Sequence, residues 1–171
     1  MAWHPSGDKL AGAAGNSIQL WSSDGKLAHQ FSEHQLPVRA LAWSRDGERL
    51  ATASHDRTIR IWTAEGKVEQ VLEGLALPLE TLSWPSAGQR LAAAGDTPAV
   101  GLWNTPAGEF LGTLVTLPDG HVAMFSPGGR LIRTSIEELD NVLIYVVEQP
   151  DQIIQLIPFS AFCKQATATS Q

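Results

Sequence analysis

Ser54, His55 and Asp56 stand side by side, and they are the nucleophile, base and carboxylate types of a hydrolytic triad. Their adjacency works against that chemistry. Neighbouring strand residues point to opposite faces, whereas a triad needs three side chains converging on one point. The five histidines, His4, His29, His34, His55 and His121, include no pair at ligand spacing within one element, so no metal centre is expected. A single cysteine, Cys163, rules out an intramolecular disulfide and a thiolate cluster. The glycines of GDKLAGAAGN, from Gly7 to Asn16, lack both the Gly-x-Gly-x-x-Gly spacing and the Lys-Ser/Thr pair of a phosphate-cradling loop. No catalytic residue and no cofactor are expected from these patterns.

The charge balance narrows the partners. Across 171 residues, 12 basic side chains face 18 acidic ones for a net charge of −6, and no run of Lys or Arg interrupts that balance. Neither nucleic acid nor an anionic membrane is an expected partner. With 43% hydrophobic residues the composition is that of a globular chain. The longest apolar run, Val142 to Val147, falls far short of the roughly 20 residues of a membrane span. The opening MAWHPSGDKL has neither a basic start nor an apolar stretch, so it does not read as a signal peptide, and a cytoplasmic setting is expected.

The elements that must carry any site repeat. All six tryptophans occupy two positions of one pattern: Trp3, Trp43 and Trp84, and then Trp21, Trp62 and Trp103, recur at steps of 40 or 41. Gly7, Gly47, Gly88 and Gly129 keep the same step, each at a place where a tight hairpin needs a positive φ. Leu10, Leu50, Leu91 and Leu131 open short strands. Ile18 and Leu20, Ile59 and Ile61, Val100 and Leu102, and Val142 and Ile144 then alternate at period two into a Trp or Tyr145, as doubly buried strands do. Gly25, Gly66 and Gly108 turn the chain into an outer strand. No helical period is sustained, so the expected class is all-β, with about four strands per repeat.

The segment from His34 to Trp62, HQLPVRALAWSRDGERLATASHDRTIRIW, resembles the WD-repeat consensus over its whole length. The resemblance implies a partial, open or incomplete β-propeller of about four antiparallel four-stranded blades. It also implies a buried structural network of His34, Ser54, Asp56 and Trp62, in which a lost member strands polar groups at about 1–3 kcal/mol each. In the next repeat Leu75, Gly95 and Thr97 replace the first three of these, and in the first repeat Ala13 and Gly15 are expected where Ser54 and Asp56 would stand. Family members commonly bind peptides on the loops before inner strands and the turns after second strands. At matching positions this implies Pro37, Arg39 and His55 in one blade and Pro78, Glu80 and Asp96 in the next, with Arg39 as the foremost anchor. The acidic stretch Glu137, Glu138 and Asp140 is a further candidate for a basic partner.

The expected organisation is an incomplete first blade at 1–33, a second with the full motif at 34–74, a third with a degenerate motif at 75–115, an atypical closing blade at 116–160 and a disordered tail at 161–171. Met1 aligns with Leu41, so the first blade lacks most of its inner strand. Missing N-terminal blades or self-association are therefore expected to complete the ring. The tail from Pro118, with its glycine turn at 128–129, its two apolar strands and its Phe-rich end, is similar to the closing segments of large bacterial WD-repeat proteins, including planctomycete-type ones where a propeller follows a kinase. A non-enzymatic protein-interaction scaffold in a longer signalling or assembly protein is the leading expectation. The alternatives are a C-terminal regulatory or targeting module of a larger enzyme such as a protein kinase, and a channel hydrolase or lyase built around Glu80.

Overall fold

A computed structural model describes residues 1–85, 89–116, 121–134, 143–148 and 153–158. The described residues contain strands and turns and no helix, so none is long and apolar enough to cross a membrane. The acidic stretch at 137–140, the tail at 161–171, Gly88 and parts of the expected closing blade lie outside them. The chain divides into two compact units, Met1–Leu111 and Gly112–Gln171.

The first unit opens with two four-stranded antiparallel meanders. One joins β1 (Ala2–Trp3), β2 (Lys9–Ala14), β3 (Ser17–Ser22) and β4 (Leu27–Phe31) in sequence order. The other joins β5 (Val38–Trp43), β6 (Arg49–Ser54), β7 (Ile59–Thr63) and β8 (Val68–Leu72) in the same way. A third set follows, with β9 (Thr81–Ser83) and β11 (Ala99–Asn104) both paired to β10 (Arg90–Ala94). The strand β12 (Glu109–Thr116) crosses the boundary between the units. In the second unit its Thr113–Thr116 portion pairs with β13 (Val122–Phe125), which pairs with β14 (Leu131–Thr134). There, too, β15 (Leu143–Glu148) pairs with β16 (Ile153–Pro158).

The recurrent glycines set these hairpins. Gly7, Gly47 and Gly129 share φ +77°, and their N–H groups donate to the carbonyls of His4, Ser44 and Ser126, three residues back. That is a tight turn whose last residue lies where side chains are disfavoured. Local side chains reinforce it: Ser44 Oγ donates to Asp46 at 2.5 Å and accepts from the Arg49 N–H at 3.0 Å.

Strand alternation then builds two apolar layers between successive sheets. Ala11, Ile18 and Leu20 of the first sheet meet Leu50 and Trp62 of the second, with Val38 and Trp43 beside them. Ala51, Ile59 and Ile61 on the opposite face of the second sheet meet Leu91, Ala93 and Trp103 of the third. Each sheet thus buries its forward face on the indole-bearing face of the next, the division of labour of a stacked repeat.

One expected alignment is corrected by strand register. Leu10 pairs with Trp21 and Leu50 with Trp62. The first hairpin turns through Gly15 and Asn16 alone, whereas the second uses three residues between Ser54 and Thr58. Counted along the strands, Ala14 rather than Ala13 stands where Ser54 does. The first hairpin is one turn residue shorter, which shifts everything aligned from the tryptophan side.

Candidate partner-binding face and its supporting network

The loop leading into β5 is anchored by a buried chain of polar groups. His34 is buried; its Nδ1 lies 2.7 Å from Asp56 Oδ2 and its Nε2 lies 2.7 Å from Thr52 Oγ1, which accepts the Trp62 indole N–H at 2.9 Å. Thr52 was absent from the expected set, and it takes the place between imidazole and indole that the resemblance implied for Ser54. Register explains the choice. Thr52 lies on the same strand face as Leu50, the cross-strand partner of Trp62, and is the diagonal neighbour the indole can reach, while Ser54 lies two residues further on, at the turn.

Ser54 does different work. Its hydroxyl donates to the carbonyls of Leu36 and Pro37, at 2.9 and 3.0 Å, and accepts from the Asp56 N–H at 3.1 Å. It pins the loop before the inner strand to the turn after the second strand. Asp56 organises that turn: one oxygen accepts from the N–H of Thr58 at 3.0 Å and from its hydroxyl at 2.6 Å, while the other accepts from the Gln35 N–H at 3.1 Å. Arg57 between them adopts φ +69°, the one non-glycine in the left-handed region among the described residues.

These partners set the protonation states. Burial raises the Asp56 carboxyl, but the hydrogen bonds from Thr58, His34 and Gln35 outweigh it and hold the group at about 2. Burial lowers His34, against the pull of Asp56. A neutral imidazole follows, with Nδ1–H donating to Asp56 and Nε2 accepting the Thr52 proton. Every donor then has an acceptor.

Neighbouring repeats replace this chain by simpler means. Ala93 stands at the Thr52 position, and the Trp103 indole donates instead to the Glu73 carbonyl at 2.8 Å. Gly95 stands at the Ser54 position, where an added Cβ would collide with the Pro78 carbonyl, so backbone occupies the space a hydroxyl fills in the second blade. Thr97, in the place of Asp56, keeps a buried hydroxyl with no partner.

Three of the six expected partner-facing residues meet one another. The Glu80 carboxylate accepts from Arg39 Nε at 2.9 Å and also bonds His55 Nε2, so one carboxylate from the third blade clamps two side chains of the second. Arg39 and His55 hold the Glu80 carboxyl below the ordinary carboxylate range. Arg39 remains half exposed, at 50%, while its Nε is fixed. Pro37 and Pro78 are exposed at the loop tips, the first with its carbonyl taken by Ser54 and by the His55 N–H. Asp96 is exposed and is not part of the clamp. Exposed Leu36, beside Pro37, was not singled out from sequence, because an isolated apolar loop residue carries no pattern. Among the described residues no cluster of three or more His, Cys, Asp or Glu side chains is placed to hold a metal ion.

Four-stranded meanders stacked face to face, with a buried indole at each junction of the first unit and loops gathered beside the inner strands, define a propeller-type repeat protein. Residues 25–63 match the family model described as WD domain, G-beta repeat. The F-box-like/WD repeat-containing protein TBL1X of Homo sapiens is 35% identical over 57 residues, 33% of this chain and 10% of that protein. The intraflagellar transport protein 122 homolog of Danio rerio is 36% identical over 59 residues, 34% of this chain and 5% of its own length. The matched stretch therefore spans a tenth or less of these relatives. The solved structure of U3-55K superposes with a TM-score of 0.61 at 20% identity, covering 76% of this chain and 49% of that one, a likeness of fold. The matches place a WD repeat at residues 25–63 and support a WD-repeat family for the chain. WD repeats carry a protein-interaction scaffold role, and the family is in general non-enzymatic.

Proposed function

We propose that this chain is a scaffold segment of a longer signalling or assembly protein and docks a protein or peptide on the loop face around Arg39, His55 and Glu80. The observation that carries the reading is the clamp itself. A guanidinium held by Nε but half exposed is oriented in advance, so less side-chain entropy is lost when a partner engages it. Leu36, Pro37 and Pro78 supply apolar surface beside it. The net charge of −6 favours a protein over a nucleic-acid partner. The size of the matched relatives supports placing the segment in a larger polypeptide. A lone cysteine fits a reducing, cytoplasmic setting.

The test is paired affinity capture. Proteins bound by the unaltered chain are expected to be lost on Arg39→Ala and kept on Arg49→Ala, whose ion pair with Glu69 lies elsewhere. Equal retention by both variants, with unchanged circular dichroism, overturns the assignment of this face.

A further inference from the structure

Around the clamp, the loop into β5 and the turn after β6 spend their acceptors on internal donors. The Leu36 and Pro37 carbonyls take the Ser54 hydroxyl, and Pro37 also takes the His55 N–H. The Ser54 carbonyl accepts from the N–H groups of Arg57 and Leu79. Both oxygens of Asp56 are engaged, by Thr58 on one side and by Gln35 and His34 on the other. Both oxygens of Glu80 are engaged by Arg39 and His55.

Donors are left over. Arg39 spends its Nε on Glu80 Oε2 at 2.9 Å, while His55 Nε2 takes the other Glu80 oxygen. Glu80 therefore does not close a two-bond fork on the guanidinium, and the Nη1/Nη2 edge of Arg39 has no partner among the described residues. Arg57, exposed in the turn beside Asp56, also keeps a guanidinium without a partner among the described residues.

A planar edge of N–H donors, fixed from behind, is the shape that receives a carboxylate through two parallel hydrogen bonds. Arg39 and Arg57 are offset in charge by Glu80 and Asp56, so the face offers a fork rather than a surplus of positive charge. That suits a singly charged planar group better than a dianionic tetrahedral phosphate. Leu36, 49% exposed, and exposed Pro37 precede Arg39 on the same loop and supply apolar surface next to the fork.

We infer that the partner docks through the carboxylate of an Asp or Glu side chain seated on the Nη edge of Arg39, with an apolar residue of the same segment against Leu36 and Pro37. The inference rests on the loop-face reading above and adds to it the chemistry of the partner.

Random twelve-residue peptides displayed on phage, selected on the full chain and then subtracted with the Arg39→Ala chain, test it. The retained peptides are expected to share an Asp or Glu beside an apolar residue. In synthetic versions, replacing that acid by its amide should weaken binding about tenfold or more, read by fluorescence anisotropy. Arg39→Lys should weaken it comparably, because an ammonium paired with Glu80 has no second edge to offer. Phosphoserine in place of the acid should bind less tightly. Arg39-dependent peptides that lack an acid, an amide peptide that binds equally, full retention by Arg39→Lys, or tighter binding of the phosphoserine peptide each overturns the inference while leaving the loop face in use. Peptides that bind Arg39→Ala as well as the unaltered chain overturn the loop-face reading and this inference together.

Discussion

The Trp62 indole donates to Thr52 Oγ1 at 2.9 Å, at the far end of a chain of groups whose polarity is set by the Asp56 carboxylate. Because that carboxylate only accepts, the imidazole carries its proton on Nδ1, and Nε2 is left to accept from the Thr52 hydroxyl. Thr52→Val keeps the shape and removes the hydroxyl. It strands a buried N–H and a buried ring nitrogen at about 1–3 kcal/mol each, and thermal denaturation should show a midpoint several degrees lower. Thr52→Ser should recover most of the loss. His34→Ala should likewise destabilise more than His29→Ala, since His29 lies on an exposed outer strand. Equal effects of the two histidine changes would show that His34 is not held in a buried polar network.

Acid should unfold the chain in two stages. His34 is held below its ordinary 6.5, so the unfolded chain takes up a proton first, and stability present above about pH 6.5 erodes as pH falls below it. Asp56 is lowered from 3.8 to about 2, so its contribution is complete above pH 3.8 and is lost between there and about 2. Melting temperatures should fall as the pH drops below about 6.5 and fall again between about 3.8 and about 2. Asp56→Asn should flatten the lower stage; an unchanged acid limb would show that the carboxylate is not its source.

Gly7 and Gly47 offer a matched pair. Both sit at φ +77°, where an L side chain costs roughly 1–2 kcal/mol. Only Gly47 has a neighbouring blade above it, in the form of His4. Gly47→Ala should therefore destabilise more than Gly7→Ala. The difference between their melting temperatures reads the packing at the first junction.

At Gly95 the obstacle is backbone rather than conformation. A Cβ there would strike the Pro78 carbonyl, which cannot rotate away as a side chain can. Gly95→Ser, although it restores the residue type of the second blade, should cost about 1–3 kcal/mol instead of adding a hydrogen bond. A stabilised variant in chemical denaturation would show that the third blade can adopt the arrangement of the second.

The tryptophan period and the turn glycines made the blades legible from sequence, because each is a local requirement: an indole at a strand end, a positive φ in a hairpin. Thr52 was not legible in the same way. Thr52 and Ser54 share a strand face, and choosing between them needs the cross-strand register of Trp62. The Arg39, His55 and Glu80 positions were each visible as loop or turn residues. That the Glu80 carboxylate joins the other two depends on how two blades sit together, which spacing along the chain does not encode. The shortened first hairpin escaped notice because an alignment hung on tryptophans has no marker at the turn.

Two backbone bonds cross the junctions of the first unit in the same sense: the Gly15 carbonyl accepts from the Val38 N–H at 2.8 Å, and the Ser54 carbonyl accepts from the Leu79 N–H at 3.2 Å. Each leaf thereby hands its successor a starting point for alignment. Linkers between leaves can then lengthen with little penalty, and even the first leaf's shorter hairpin leaves its successor in place, because the Gly15 carbonyl still receives Val38.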